Sequence, residues 1–182
     1  MYDTPDEAVI VENSFGKLLG RDIHRLRRGE WLNDELINYY LSMLKERSFH
    51  PENVINNLKQ KSVPKKPLPK LHAFNTFFYS LLSTKGYPSV RRWTKRAKVN
   101  LFDLDRVLIP VNKGGFHWIL VVINITEKRV EYYDSMGREG VSKENLCVLE
   151  NVRNFMVEEA KAQNRSADEV ANWSYYVPVT LC

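Results

Sequence analysis

The chain has 182 residues, is 43% hydrophobic and 12% aromatic, and carries a net charge of +5 with an isoelectric point near 9.1. That is long and apolar enough for one domain with a sizeable core. Two cysteines exclude a disulfide-stapled scaffold and fit a reducing compartment, and no run of about 18 apolar residues could cross a membrane as a helix. The basic balance suits an acidic partner, nucleic acid or protein, and is equally the mark of a surface kept soluble.

Residues 1–13 read as a loose, acidic lead-in unlike a targeting peptide, and one domain is expected over residues 14–182. Between 14 and 28, Leu18, Leu19, Ile23 and Leu26 can cover one face of a short element. Asn33 is a good helix N-cap, followed by the acids Asp34 and Glu35 where the helix dipole favours them. Leu36, Ile37, Tyr40, Leu41 and Leu44 carry the helical spacing to about residue 47. Trp31, just before the cap, has the place of a packing staple. Residues 48–70 interleave Lys59, Lys61, Lys65, Lys66 and Lys70 with Pro64, Pro67 and Pro69, as an exposed, extended loop does. Such a loop can serve as a nuclear-localisation patch, although most are merely solvated.

An apolar helix is expected over 72–82, with Phe74, Phe77, Phe78, Leu81 and Leu82 on one side, stopped at Gly86-Tyr87-Pro88. Residues 90–98 are densely basic around Trp93. Interleaved bases and aromatics can bind nucleic acid, but a short cationic helix with a buried Trp is the commoner use. Residues 107–111 form a buried strand, and 142–162 an amphipathic helix with Leu146, Leu149, Val152, Phe155 and Met156 as its stripe. Cys147 lies beside that stripe as a small packing residue, and a last strand is expected over 175–179.

The chemistry centres on residues 114–137. Gly114-Gly115 precedes a β-branched, apolar run from His117 to Asn124, and a second strand-like run carries Tyr132, Tyr133 and Asp134. A tight hairpin that pairs Asn124 with Glu127 sets His117 directly opposite Asp134. A carboxylate held beside an imidazole fixes its tautomer and stabilises the imidazolium, which is half of a nucleophilic triad. The glycine pair lets another backbone come close. His24, His50, His72 and His117 lack metal-site spacing. Neither thiol is a convincing nucleophile: Cys147 sits on a helix, and Cys182 stands next to the terminal carboxylate with no helix or cation to activate it.

The segments Trp31-Leu32-Asn33-Asp34-Glu35-Leu36-Ile37-Asn38, His72-Ala73-Phe74-Asn75-Thr76-Phe77-Phe78, Gly86-Tyr87-Pro88-Ser89-Val90-Arg91-Arg92-Trp93-Thr94-Lys95 and Tyr132-Tyr133-Asp134-Ser135-Met136-Gly137, together with the His117-Trp118 hairpin, resemble the SUMO-specific (sentrin-specific) cysteine proteases. The likeness runs from about Ser14 to the C-terminus. It implies an α+β, papain-like fold with a mixed central sheet flanked by helices, and a Cys–His–Asp triad. In that resemblance His117 matches the general base and Asp134 its orienting acid. Trp31 and Trp118 match the walls of a narrow tunnel for the modifier's Gly-Gly tail, and Asp34, Phe77 and Arg92 match contacts to its body.

A slot between two indoles suits a diglycine, which has no side chain to clash with them. The family's Pro-Gln-Gln-x-Asn-x-x-Asp-Cys-Gly segment does not occur here. A partial member is therefore expected, one that stops before its nucleophile, with its last helices missing, low stability and Cys182 ahead of the motif. The resemblance implies SUMO precursor processing and isopeptide cleavage, with SUMO and SUMO-conjugated proteins as partners. It implies no cofactor, no metal and no membrane, a monomer, and a nuclear location with the cytoplasm second. A catalytically inactive SUMO-binding module is the alternative, and a nucleic-acid binder acting through residues 91–98 the third.

Overall fold

The computed structural model describes residues 4–50, 68–137 and 140–178. Its elements in chain order begin with β1 (Val9–Asn13), β2 (Gly16–Leu19), α1 (Gly20–His24) and α2 (Asp34–Phe49). β3 (Leu71–Ala73), α3 (Phe77–Lys85), α4 (Tyr87–Val90) and α5 (Trp93–Ala97) follow, and then β4 (Arg106–Lys113), β5 (His117–Asn124) and β6 (Arg129–Tyr133). The last are α6 (Lys143–Ala162), α7 (Ala167–Ala171) and β7 (Ser174–Tyr176).

The β-branched runs of β4 and β5 make the centre of a five-stranded sheet ordered β3-β4-β5-β6-β7. β4, β5 and β6 are antiparallel, while β3 and β7 add parallel at the two edges, so the sheet is mixed. One face turns Val107, Ile109, Ile119, Val121, Ile123 and Val130 into the core, all at 4% exposure or less. Phe78 of α3 and Leu149, Val152, Phe155 and Met156 of α6 close over it. Phe74 stacks on Phe78 with centroids 3.8 Å apart, and Phe155 meets Phe78 edge-on at 5.0 Å. Burying each such side chain is worth about 1.5–3 kcal/mol, which makes this face the main source of stability. On the other face α2 leaves an apolar groove of about 1000 Å³ beside Leu108, Leu120, Tyr133 and Pro178. Among the described residues no helix is long and apolar enough to cross a membrane.

The start of α2 is fixed as its sequence implies: the Asn33 side chain accepts from the Leu36 amide at 3.1 Å and donates to Asp22 at 2.8 Å. The helix runs to Phe49, two residues beyond expectation. Residues 5–8, expected to belong to a loose lead-in, dock on α1 through Gly20 N–H to the Ala8 carbonyl (2.9 Å) and Arg21 N–H to the Asp6 carbonyl (3.0 Å). Gly20 is needed there, since a Cβ would stand 2.0 Å from the Pro5 oxygen. Residues 9–13 of the same stretch form β1, paired with β2.

The helix expected from residue 72 begins only at Phe77. Leu71–Ala73 instead joins the sheet, and Phe74 N–H continues the bonding to the Leu108 carbonyl at 3.0 Å. Asn75 takes the Phe77 amide at 3.0 Å and Asn38 takes that of Thr76 at 3.0 Å, so the amides at the helix start are satisfied by side chains. Phe77 consequently points away from the core and is 58% exposed.

Trp93 is half-buried and packs on Phe78 at 5.5 Å, as a cationic helix with a covered Trp requires. Beneath that helix the buried Glu159 accepts from Tyr87 (3.0 Å) and Thr94 (3.2 Å), and burial pushes its carboxyl above the usual range. α6 matches its expected bounds, with the Ser142 side chain taking the Asn145 amide at 3.3 Å. Leu146 is only half-buried, and Cys147 is exposed rather than packed. α7 was not legible in the sequence pattern. The last strand covers 174–176 rather than 175–179, and Val179, Cys182 and most of the basic loop lie outside the described residues.

Candidate active site

The site forms where β5 begins and β6 has just ended. The hairpin between them is not the tight one expected. Asn124 pairs with Arg129, across a four-residue loop in which Lys128 is left-handed (φ 50°) and the Asn124 side chain takes the Glu127 amide at 3.0 Å. The register therefore differs by two residues from one that sets His117 directly opposite Asp134. An even shift keeps side chains on their faces, so the two residues still meet. Asp134 follows the last ladder pair, Leu120 with Tyr133, and its Oδ1 lies 2.6 Å from His117 Nε2.

Both oxygens of Asp134 are engaged. Oδ1 also accepts from the Met136 amide at 2.9 Å, within the turn closed by Gly137 N–H to the Asp134 carbonyl at 3.1 Å. Oδ2 lies 3.5 Å from the Tyr132 hydroxyl, which donates to it, and 4.0 Å from Lys113 Nζ. Burial pushes the Asp134 carboxyl up, but the Met136 amide, His117 and Lys113 together outweigh it and hold the group below the usual carboxylate range. The carboxylate thus claims the Nε2 proton and leaves Nδ1 as the nitrogen with the lone pair. His117 is 8% exposed, and its Nδ1 is buried with no hydrogen-bond partner among the described residues.

Trp31 stands over this ring, edge to face, with centroids 6.0 Å apart. Its loop is fastened to β5 by the Trp118 indole, which donates to the Leu32 carbonyl at 2.7 Å. Trp31, Asp34, Phe77 and Trp118 line one groove of about 930 Å³, together with Phe116. Phe116 is 60% exposed, meets the Trp31 ring at 6.4 Å, and was not singled out by sequence. The loop that carries it uses Gly114 (φ 67°) and Gly115 (φ 87°), with the Gly115 amide bonded to Asn112 Oδ1 at 2.7 Å. A Cβ on Gly115 would meet nothing within 4 Å and one on Gly114 would press on the Phe116 ring at 3.1 Å, so these glycines supply left-handed turn conformations rather than a close backbone approach.

A family model described as the Ulp1 protease family, C-terminal catalytic domain, matches residues 30–181. The chain belongs to this family. It is 37% identical to mouse sentrin-specific protease 2 over 176 residues, covering 96% of this chain and 26% of that protein. It is 31% identical to ubiquitin-like-specific protease 1 of Saccharomyces cerevisiae over 141 residues, covering 78% and 19%. Among solved structures, the C-terminal Ulp1 protease domain in complex with Smt3, the yeast ortholog of SUMO, superposes with a TM-score of 0.75 at 25% identity. That superposition covers 98% of this chain and 69% of the other. The chain spans about a quarter of the length of sentrin-specific protease 2. The expected α+β Ulp1-type fold, a mixed sheet flanked by helices, is the observed one.

Within this Ulp1-family fold the sequence-expected residues separate. His117, Asp134, Trp31 and Trp118 meet at one point, and Asp34 and Phe77 line the adjoining groove. Arg92 is exposed just ahead of α5 and does not line that groove. Cys147 faces outward on α6, with Asn151 Nδ2 3.8 Å from its sulfur, and Cys182 lies outside the described residues.

Proposed function

We propose that this chain carries the tail-binding groove and the general-base pair of a SUMO-specific cysteine protease domain, of the kind that processes SUMO precursors and cleaves SUMO from substrate lysines. The observation that carries this reading is the His117 ring: Nε2 is held by an ionised Asp134, while Nδ1 is shielded, without a partner among the described residues, and roofed by Trp31. The relatives' names and the Smt3 complex support the substrate class.

The chemistry follows from that arrangement. The two glycines of the modifier's tail lie between Trp31 and Trp118, where a side chain would strike an indole, and the scissile carbonyl comes to rest beside His117. A thiol at Nδ1 gives up its proton there, and the thiolate adds to the carbonyl carbon. Asp134 stabilises the imidazolium that results. The imidazolium returns the proton to the departing amine, and Nδ1 then takes a proton from the water that releases the tail. Asp34 and Phe77 hold the modifier's body, with Arg92 at a separate point of contact.

A binding module without turnover is the second reading. It is favoured by one observation: no sulfur among the described residues is within hydrogen-bonding reach of Nδ1. Both readings require recognition of the tail. Calorimetric titration of this chain with SUMO ending in Gly-Gly is expected to give saturable binding, weakened at least about tenfold when either glycine is changed to alanine. Equal binding of the alanine tails, or no binding at high micromolar concentration, sinks both.

A further inference from the structure

Lys113 is the last residue of β4 and pairs in the ladder with His117, the first residue of β5. Sequence pattern did not single it out, and it lies outside the groove that holds Trp31 and Phe77. A lysine opposite a histidine that must become cationic is an unfavourable neighbour unless something directs its charge elsewhere. Here Glu144, in the first turn of α6, draws the ammonium to 2.8 Å from its Oε1. The ammonium also stands 3.4 Å from the Tyr132 hydroxyl and 4.0 Å from Asp134 Oδ2. Tyr132 is itself buried at 3% exposure and donates toward the same Oδ2. The carboxylate is thus gripped from two sides. His117 and the Met136 amide hold Oδ1; Tyr132 and the tethered Lys113 hold Oδ2.

We propose that Lys113, anchored by Glu144, is a positioning residue for the His117–Asp134 pair: it holds Asp134 Oδ2 so that Oδ1 stays aimed at His117 Nε2. This rests on the general-base reading of that pair and deepens it. Among the described residues, charged and titratable groups near the carboxylate include Lys113 on β4, His117 on β5, Tyr132 on β6 and Glu144 on α6. Of these, only Lys113 and the protonated ring favour the anion by charge. Removing Lys113 takes away one of the charges that oppose the burial of Asp134. The carboxyl then takes up a proton at higher pH, and a protonated Asp134 no longer secures the Nε2 proton. Arginine at the same position retains the charge and can reach both carboxylates.

The test is carbon-detected NMR titration of the Asp134 side-chain carboxyl in this chain, with the His117 Nε2 proton followed in the same samples. Lys113→Met is expected to raise the Asp134 midpoint by about 0.5–1 pH unit, to move the Nε2 proton upfield and to speed its exchange with water. Lys113→Arg is expected to restore both readouts. Lys113→Gln, which keeps the length and polarity, is expected to behave as the Met variant does and serves if that variant is insoluble. An unchanged midpoint in the neutral variants, or a failure of Arg to restore it, overturns the proposal. Binding of the Gly-Gly tail is expected to be the same in all variants. Loss of tail binding by the unaltered chain would therefore refute the SUMO reading while leaving the Lys113 result standing.

Discussion

The Trp118 indole donates to the Leu32 carbonyl at 2.7 Å, and this one bond fastens the loop carrying Trp31 to the strand carrying His117. Replacing Trp118 by Phe keeps an aromatic wall and removes the donor. The expected loss of stability is small, about 0.5–1 kcal/mol, because the bond lies near the surface. The expected loss of tail binding is larger, about three- to tenfold, because Trp31 is no longer held at its spacing. Parallel thermal denaturation and calorimetric titration check this. A fall in stability with unaltered binding would show that the bond does not set the groove.

Phe77 and Phe78 are neighbours in sequence with opposite duties, since Phe77 is 58% exposed and Phe78 fully buried. Phe78→Ala is expected to cost about 3–5 kcal/mol in denaturant unfolding, by emptying the centre of the aromatic cluster. Phe77→Ala is expected to change stability by about 0.5 kcal/mol or less and to weaken SUMO binding. If Phe77→Ala leaves binding as it was, the groove between α2 and α3 is not the modifier's contact.

His72 gives the chain an acid limit. It is 7% exposed, packs against Phe74 with centroids 4.9 Å apart, and burial with a contribution from Lys45 pushes its pKa down to about 4. An unfolded histidine titrates near ~6.5, so below that pH the unfolded chain takes up the proton first. The stability gained by keeping His72 neutral is whole above about pH 6.5 and drains as pH falls toward about 4. The loss across this window is on the order of 2–3 kcal/mol. In His72→Leu that part of the pH dependence is expected to vanish. Urea titrations at pH 7, 5.5 and 4.5 that give parallel losses for both proteins would contradict the assignment.

A SUMO vinyl sulfone separates the two functional readings. No thiol is within hydrogen-bonding reach of His117 Nδ1 among the described residues, and the Cys147 sulfur faces outward. Cys147 is therefore expected to form no adduct with the probe, as followed by intact-mass spectrometry of the Cys182→Ala chain. An adduct lost in Cys182→Ala but kept in Cys147→Ala would assign the nucleophile to Cys182 and exclude the inactive binding module.

The parts of the fold written in local pattern were legible. The β-branched runs of β4 and β5, the Asn33 cap and the stripe of α6 each follow from residues near one another in sequence. What escaped depended on partners far away. Phe74, Phe77 and Phe78 have helical spacing, but Asn38 and the edge of β4 decide that residues 71–73 join the sheet. The β5–β6 register was missed by two residues because the Asn124 side chain and a left-handed Lys128 build a longer loop than the shortest available. The His–Asp pair survived that error only because the shift was even. Lys113 was invisible because its importance depends on Glu144, which lies across a helix boundary. Phe116 carries no sequence pattern of its own, and its exposed place beside Trp31 follows from the left-handed turn at Gly114 and Gly115.

The function of the pair depends on Nδ1 of His117 being the basic nitrogen, with the proton fixed on Nε2 by Asp134. Long-range proton–nitrogen correlation spectra of this chain, taken on the neutral form of the ring, measure that directly. A protonated, pyrrole-like shift is expected at Nε2 and a bare, pyridine-like shift at Nδ1, with the two equalising as tautomers mix in Asp134→Ala. A protonated Nδ1 in the unaltered chain would contradict it.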